Sequence, residues 1–242
     1  MGRDFVKELI KQKNVDEIWM LARRKDRLES IAANAEGRLR VLAQDLTKMA
    51  TFAELERLLE EEQPQIQYLV NAAGAGRMGS VEEISYENHA FVLDINVRAL
   101  TCMSRICIPY MSKGSRIIQL CSGSAFMPQP EFASYAASKS YVLSFSRALR
   151  QEVKAKGISV TAVCPGPVNT EFFEAAGSEI TPAKKRFLAE SKDVVKKALK
   201  DAKAGKELSI YGFHMKLVHL AGKILPTSVI FTLMSTILNK EE

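Results

Sequence analysis

SRIIQLCSGSAFMPQPEFASYAASK, residues 115–139, holds a strand, a turn and the opening of a helix. Ser115 to Cys121 is a short, mostly apolar run of the kind a buried strand uses. Ser122-Gly123-Ser124-Ala125 interrupts it as a turn. From Phe132 to Lys156 the apolar residues recur at helical spacing. Tyr135 and Lys139 are four apart, so on that helix their side chains leave one face, one turn apart. A free phenol titrates near ~10. An ammonium held beside it favours the phenolate and lowers that value. Such a tyrosine can exchange a proton with an alcohol or carbonyl oxygen. Ser122, at the strand's carboxyl end, can hold the same oxygen through its hydroxyl. A Tyr-x-x-x-Lys pair by itself is equally a piece of helix surface, so the flanking sequence decides.

Outward from this stretch, strands and helices alternate. Short apolar runs at Glu17–Ala22, Arg40–Ala43, Gln67–Val70 and Ser159–Cys164 are predicted strands, with a last short one at Glu207–Tyr211. Amphipathic runs at Arg24–Asn34, Ala50–Glu62, Tyr86–Met111 and Lys192–Lys203 are predicted helices. The pattern predicts an α/β domain: a doubly wound parallel sheet, Rossmann-like, covered by helices on both faces. In such sheets ligands bind outside the carboxyl ends of the strands. Asp45, Asn71, Ser122 and Pro165 all fall at those ends.

A chain of 242 residues fits one such domain, 1–242, with 213–242 as a C-terminal helical extension. Four cysteines show no Cys-x-x-Cys pair and sit in apolar surroundings, as reduced core residues of a cytoplasmic protein do. Three scattered histidines make no metal site. No apolar run is long enough to span a bilayer. The net charge of +6 is matched by the excess within Lys184–Lys206. There the lysines interleave with Leu188, Val194, Val195, Ala198 and Leu199, which predicts a solvated helix face rather than a nucleic-acid surface.

These residues together resemble the short-chain dehydrogenase/reductase family over nearly the whole chain. The resemblance rests on Asp45 after a strand, Asn71-Ala72-Ala73-Gly74, Asn96 within Asp94-Ile95-Asn96-Val97, Ser122, Tyr135-x-x-x-Lys139, and Pro165-Gly166 followed by Thr170. It implies an oxidoreductase that interconverts a secondary alcohol and a ketone by hydride transfer. It makes Tyr135 the general acid/base and Ser122 the group that orients the substrate oxygen. Lys139 lowers the Tyr135 pKa and binds the nicotinamide ribose. Asn96 holds a water that relays protons from Lys139. Asp45 and Leu46 flank the adenine, and Asn71, Ala72 and Gly74 form the strand end beneath its ribose. Pro165, Gly166, Val168 and Thr170 position the carboxamide of the nicotinamide. Where NAD-binding members carry an acid, this chain has Arg23 and Arg24, which can pair with a 2′-phosphate. NADP(H) is therefore expected over NAD(H). Met78, Met127, Phe132, Phe172 and Phe173 suggest a small apolar carbonyl or alcohol substrate. A homodimer or homotetramer is expected through the two long helices, with Ala99, Met103, Cys107, Phe145 and Leu149 as the candidate face.

The family opens with a strand and a Gly-rich loop, of which Met1-Gly2-Arg3-Asp4-Phe5 matches only the last part. Gly2 is thus the one loop glycine expected to touch the pyrophosphate, and a start upstream of Met1 is expected. If the chain functions as numbered, the alternative is a cofactor-deficient member that serves as a binding or structural protein. The C-terminal run Phe213–Asn239, broken by Pro226, repeats Val229, Leu233, Thr236 and Ile237 at helical spacing. A pocket lid or subunit contact is expected there rather than a membrane-surface helix, because its polar face is poor in Lys and Arg.

Overall fold

Six apolar runs become parallel strands, and the polar-faced runs between them become the covering helices. The computed structural model describes residues 1–33, 35, 37–177 and 187–238, the last six as backbone. The chain runs α1 (Gly2–Leu9), β1 (Ile18–Ala22), α2 (Lys25–Ala32), β2 (Leu39–Ala43), α3 (Met49–Glu62) and β3 (Ile66–Asn71). Next come α4 (Tyr86–Leu93), a π-helical turn (Asp94–Ala99), α5 (Leu100–Cys107), β4 (Met111–Leu120) and α6 (Ala133–Glu152). Then follow β5 (Ser159–Val163), β6 (Val168–Asn169), α7 (Phe172–Ala175), β7 (Ala189–Glu190) and α8 (Ser191–Lys203). The chain closes with β8 (Leu208–Ser209), α9 (Phe213–Ile224) and α10 (Thr227–Leu238). Every strand pair is parallel.

One layer of core lies on each face of the sheet. Phe52, Leu55 and Leu59 of α3 and Met103, Ile106 and Cys107 of α5 pack against Ile117 and Val160 on one side. Phe5 and Leu9 of α1 and Val194, Val195, Ala198 and Leu199 of α8 pack against Ile118 and Val163 on the other. Lys192, Lys196, Lys200 and Lys203 of α8 point to solvent, as its periodicity predicts; Lys184 to Arg186 lie outside the described residues. Asp201 of α8 is buried, and Lys197, Lys206 and Ser209 hold it at 2.6, 2.9 and 2.8 Å, tying α8 to β8.

The sheet is split. One large hydrogen-bonded group is β2-β1, the other β3-β4-β5-β8, and among the described residues no strand pairing joins β1 to β3. A cavity of about 1630 Å³ runs between their facing edges, lined by Ile18, Met20, Tyr68 and Val70 and by Phe5 of α1. Polar ties bridge the far end, with Asn14 Nδ2 donating to Gln67 Oε1 at 2.8 Å and Tyr68 Oη to Gln12 Oε1 at 3.1 Å. The short β6–β7 pair was not expected from the sequence.

Two further differences bear on the site. Ala99, Met103, Cys107 and Leu149 are buried in the chain's own core and Phe145 packs against it, so they do not form an outward face for a second subunit. That corrects the candidate contact drawn from spacing, which identifies a stripe but not what the stripe faces. Helix α9 lies against the turn at Gly123–Phe126 because Gly222 lacks a side chain. A Cβ there would strike the Phe126 carbonyl oxygen. Leu225 is extended, as the residue before a proline must be, and the chain restarts as α10.

Candidate active site

β4 ends at Leu120, and α6 passes over that end, which brings the turn and the helix face together. Ser122 Oγ accepts from the Ser124 amide at 3.1 Å, capping the turn. The Tyr135 hydroxyl lies near the same serine, close enough for Ser122 to favour its ionised form. Tyr135 is buried between aromatic rings, stacked on Phe132 at 4.3 Å and tilted against Phe172 at 5.2 Å. Lys139 is buried too. Its Nζ donates to the Leu120 carbonyl at 2.9 Å and lies 5.5 Å from the Tyr135 ring centroid.

Burial dominates the electrostatics here. It pushes the Tyr135 phenol well above its ordinary value, and the nearby Ser122 only partly opposes it. Burial also brings Lys139 down to about 8, against the weaker support of Cys121 and Cys164. This reverses the direction expected for Tyr135 from spacing alone. The ammonium is directed at the strand-end carbonyl, and desolvating the phenolate outweighs its field.

Asn96 sits buried in the π-helical turn. Its Oδ1 accepts from the Ala75 amide at 2.9 Å. Its Nδ2 donates to the Ala75 carbonyl and to Ser138 Oγ, both at 2.8 Å. Both amide protons are therefore used within the protein. Asn96 clamps the loop after β3 to α6, one residue from Lys139. Gly74 lies beside this clamp, and a Cβ there would come within 3.4 Å of Asn96 Oδ1 and 3.5 Å of Lys139 Nζ. The glycine keeps the floor of the site open.

The cavity between the sheet halves continues to this floor. Gly2, Arg23, Arg24, Leu46, Asn71, Ala72, Gly74, Tyr135, Lys139 and Thr170 all line it. Asn71 lines it but turns its side chain away, and others lie elsewhere. Asp45 turns its carboxylate back on the Thr47 amide and hydroxyl at 2.9 and 2.8 Å, and the amide bond holds its pKa below the usual range. Asn71 directs its side chain inward to Gln119 at 2.8 Å, in a buried network with Ser104. Val168 is a core residue beside α8. The Pro165 carbonyl accepts from the Gly123 amide at 2.8 Å, and Gly166 is covered by Met215.

Two charged residues of the site, Glu171 and Arg27, were not legible in the sequence. Glu171 bridges Arg24 at 3.4 Å and Arg27 at 2.7 Å. It sits over 140 residues from either, with no motif to connect them. Arg23 lies over the Phe91 ring at 5.3 Å and contributes to the low pKa of Asp45. A long groove with arginines at one end, an open glycine floor, and the buried Tyr135 and Lys139 at the other suits a dinucleotide.

Residues 1–181 match the family model described as short chain dehydrogenase. The chain belongs to the short-chain dehydrogenase/reductase family. An uncharacterized oxidoreductase of Staphylococcus epidermidis is 27% identical over 184 residues, which cover 75% of this chain and 79% of that protein. A short-chain dehydrogenase from Sphingobium yanoikuyae, solved in complex with NADPH, superposes with a TM-score of 0.79 at 25% identity, covering 97% of this chain and 91% of that one. A Burkholderia phymatum member in complex with NAD shares the fold, with a TM-score of 0.77 at 19% identity over 92% of this chain and 89% of that one. As a family member the chain is an oxidoreductase acting on CH–OH groups with NAD(P). Among the described residues no helix is long and apolar enough to cross a membrane, and no cluster could hold a metal ion.

Proposed function

We propose that the chain reduces a small apolar ketone to a secondary alcohol, or the reverse, with NADP(H) as the hydride carrier. The observation that carries this reading is Tyr135 and Lys139, both buried and one helical turn apart beside Ser122 at the end of β4, lining a groove that also holds Arg23 and Arg24. When bound, the nicotinamide supplies or accepts the hydride. Gly2, Ala72, Gly74 and Thr170 would hold the dinucleotide along the groove, and Arg23 and Arg24 would meet a 2′-phosphate.

The chain's own groups handle the proton. Ser122 and Tyr135 both hydrogen-bond the substrate oxygen and fix it. Because burial holds Tyr135 protonated at neutral pH, it is the proton donor in ketone reduction. Lys139, charged below about pH 8, stabilises the phenolate that this leaves. Phe132 and Phe172 exclude water from the reacting oxygen and favour an apolar substrate. The four free thiols suit a reducing, cytoplasmic setting.

Tyr135→Phe removes the proton donor and little else. It should lower kcat by about a thousandfold while leaving the melting temperature within a few degrees. Near-normal turnover in that variant would refute the assignment. The split between β1 and β3 favours a second reading, a family member that binds ligands without turning over cofactor. Isothermal titration with NADPH separates the two: a saturable heat that Lys139→Ala weakens belongs to the enzyme, and no heat belongs to the binding protein.

A further inference from the structure

Helix α9 turns its most apolar stripe outward. At 100° per residue, Phe213, Leu217, Leu220 and Ile224 fall within an arc of about 60°. They are 74, 51, 52 and 68% exposed, values far from those of a packed face. The opposite face of α9 is the one that packs. Met215 is buried against Gly123 and Gly166, and Gly222 rests on the Phe126 carbonyl. The helix therefore cannot rotate to bring the stripe onto its own site. The next helix extends the surface, with Val229 and Phe231 exposed and Ile230 buried between them.

The charge carried by this segment has one sign. Leu208 to Leu238 contains no Asp or Glu. Lys216 and Lys223 lie on one flank of the stripe, both exposed, and neither enters an ion pair among the described residues. The outward stripe covers no pocket of its own chain, unlike the lid expected from the sequence. In place of the lid or subunit contact, we propose that α9 and the start of α10 dock the protein on an anionic lipid bilayer, lying in the interface plane. Phe213, Leu217, Leu220 and Ile224 would enter the acyl boundary, and the two lysines would meet headgroup phosphates. The same charge disfavours a second copy as occupant. A twofold contact through this face would set its lysines against each other with no carboxylate in the segment to answer them.

The test is co-sedimentation of the full chain with vesicles of phosphatidylcholine alone and of phosphatidylcholine with about 30% phosphatidylglycerol, at low and high salt. The chain should pellet with the anionic vesicles at least about tenfold more than with neutral ones, and raised salt should weaken this. Leu217→Glu with Ile224→Glu should abolish it, and so should Lys216→Glu with Lys223→Glu. Both pairs are solvent-exposed, so circular dichroism and melting temperature should hold. As a check that does not depend on those variants, a Leu220→Trp reporter should shift its emission to the blue when anionic vesicles are added. Absence of binding, equal binding to both vesicle types, or an unshifted Leu220→Trp emission overturns the proposal. So does a dimer in solution that Leu217→Glu with Ile224→Glu dissolves while vesicle binding is nil, since the stripe would then be a subunit contact.

Discussion

Replacing Lys139 by Met should make the protein more stable at neutral pH while it abolishes turnover. The lysine is buried, and its pKa falls from 10.5 to about 8 in the folded chain. Below pH 8 the folded state must carry a desolvated ammonium that the unfolded chain keeps in water. At about 1.4 kcal/mol per tenfold change in proton affinity, that costs roughly 3 kcal/mol at pH 7. Methionine fills a similar volume without charge. It leaves the Leu120 carbonyl without the donor that Lys139 provides at 2.9 Å, a loss of about 1 kcal/mol. The net gain is about 2 kcal/mol, or roughly 4–8 °C in melting temperature. The sign of the pH dependence is the sharper test. The unfolded lysine keeps its proton up to its higher pKa, so the penalty is complete below about pH 8 and fades as pH rises toward 10.5. By about pH 9.5 the two proteins should differ by less than about 1 kcal/mol. Urea unfolding of both chains at the two pH values, without nucleotide, measures this. A Lys139→Met chain that is destabilised by the same amount at both pH values would refute the argument that burial, rather than pairing, governs this lysine.

Arg23→Ala with Arg24→Ala should raise KM for NADPH by about tenfold or more and leave KM for NADH nearly unchanged, as steady-state kinetics with both cofactors will show. Glu171→Gln frees Arg24 and Arg27 from their carboxylate and should shift the preference further toward NADPH in the same assay. Asp201→Ala leaves Lys197, Lys206 and Ser209 without their buried acceptor and should cost about 3 kcal/mol in urea unfolding. Sedimentation equilibrium at micromolar concentration should give the mass of a dimer or tetramer, and a strictly monomeric mass would count against subunit pairing.

Much of the architecture could be read from periodicity. The strands at Ile18–Ala22, Leu39–Ala43 and Ser159–Val163 and the helices at Met49–Glu62 and Ser191–Lys203 lie within a residue or two of their expected bounds. Long apolar runs and amphipathic stripes carry their own period, so local sequence suffices. Two-residue strands carry none, and the pairing of Val168–Asn169 with Ala189–Glu190 escaped for that reason. The Ser122, Tyr135 and Lys139 grouping was legible because strand end and helix turn are fixed by spacing. Its electrostatics were not, since they depend on how deeply Phe132 and Phe172 bury the phenol. The same holds for α9, where the sequence shows an apolar stripe but only packing reveals which way it faces. The side chains of Leu233, Thr236 and Ile237, expected on one face of the last helix, lie outside the described residues.

The division of the sheet has a consequence for how the molecule opens. A parallel sheet normally transmits cooperativity from strand to strand through its hydrogen-bond ladder. Here the ladder is interrupted at β1 and β3, so β1, β2 and α2 should behave as a separate foldon. Amides of Met20 and Val41, register partners in a ladder that ends at β1, should exchange with deuterium faster than those of Ile118 and Thr161 in the other half. The facing edges also present unpaired amides to a common slot, so any extended segment that fills it would slow exchange in both halves together. Deuterium uptake across Ile18–Ala22 and Ile66–Asn71 would then rise and fall as a linked pair, reporting occupancy of the slot without reference to catalysis.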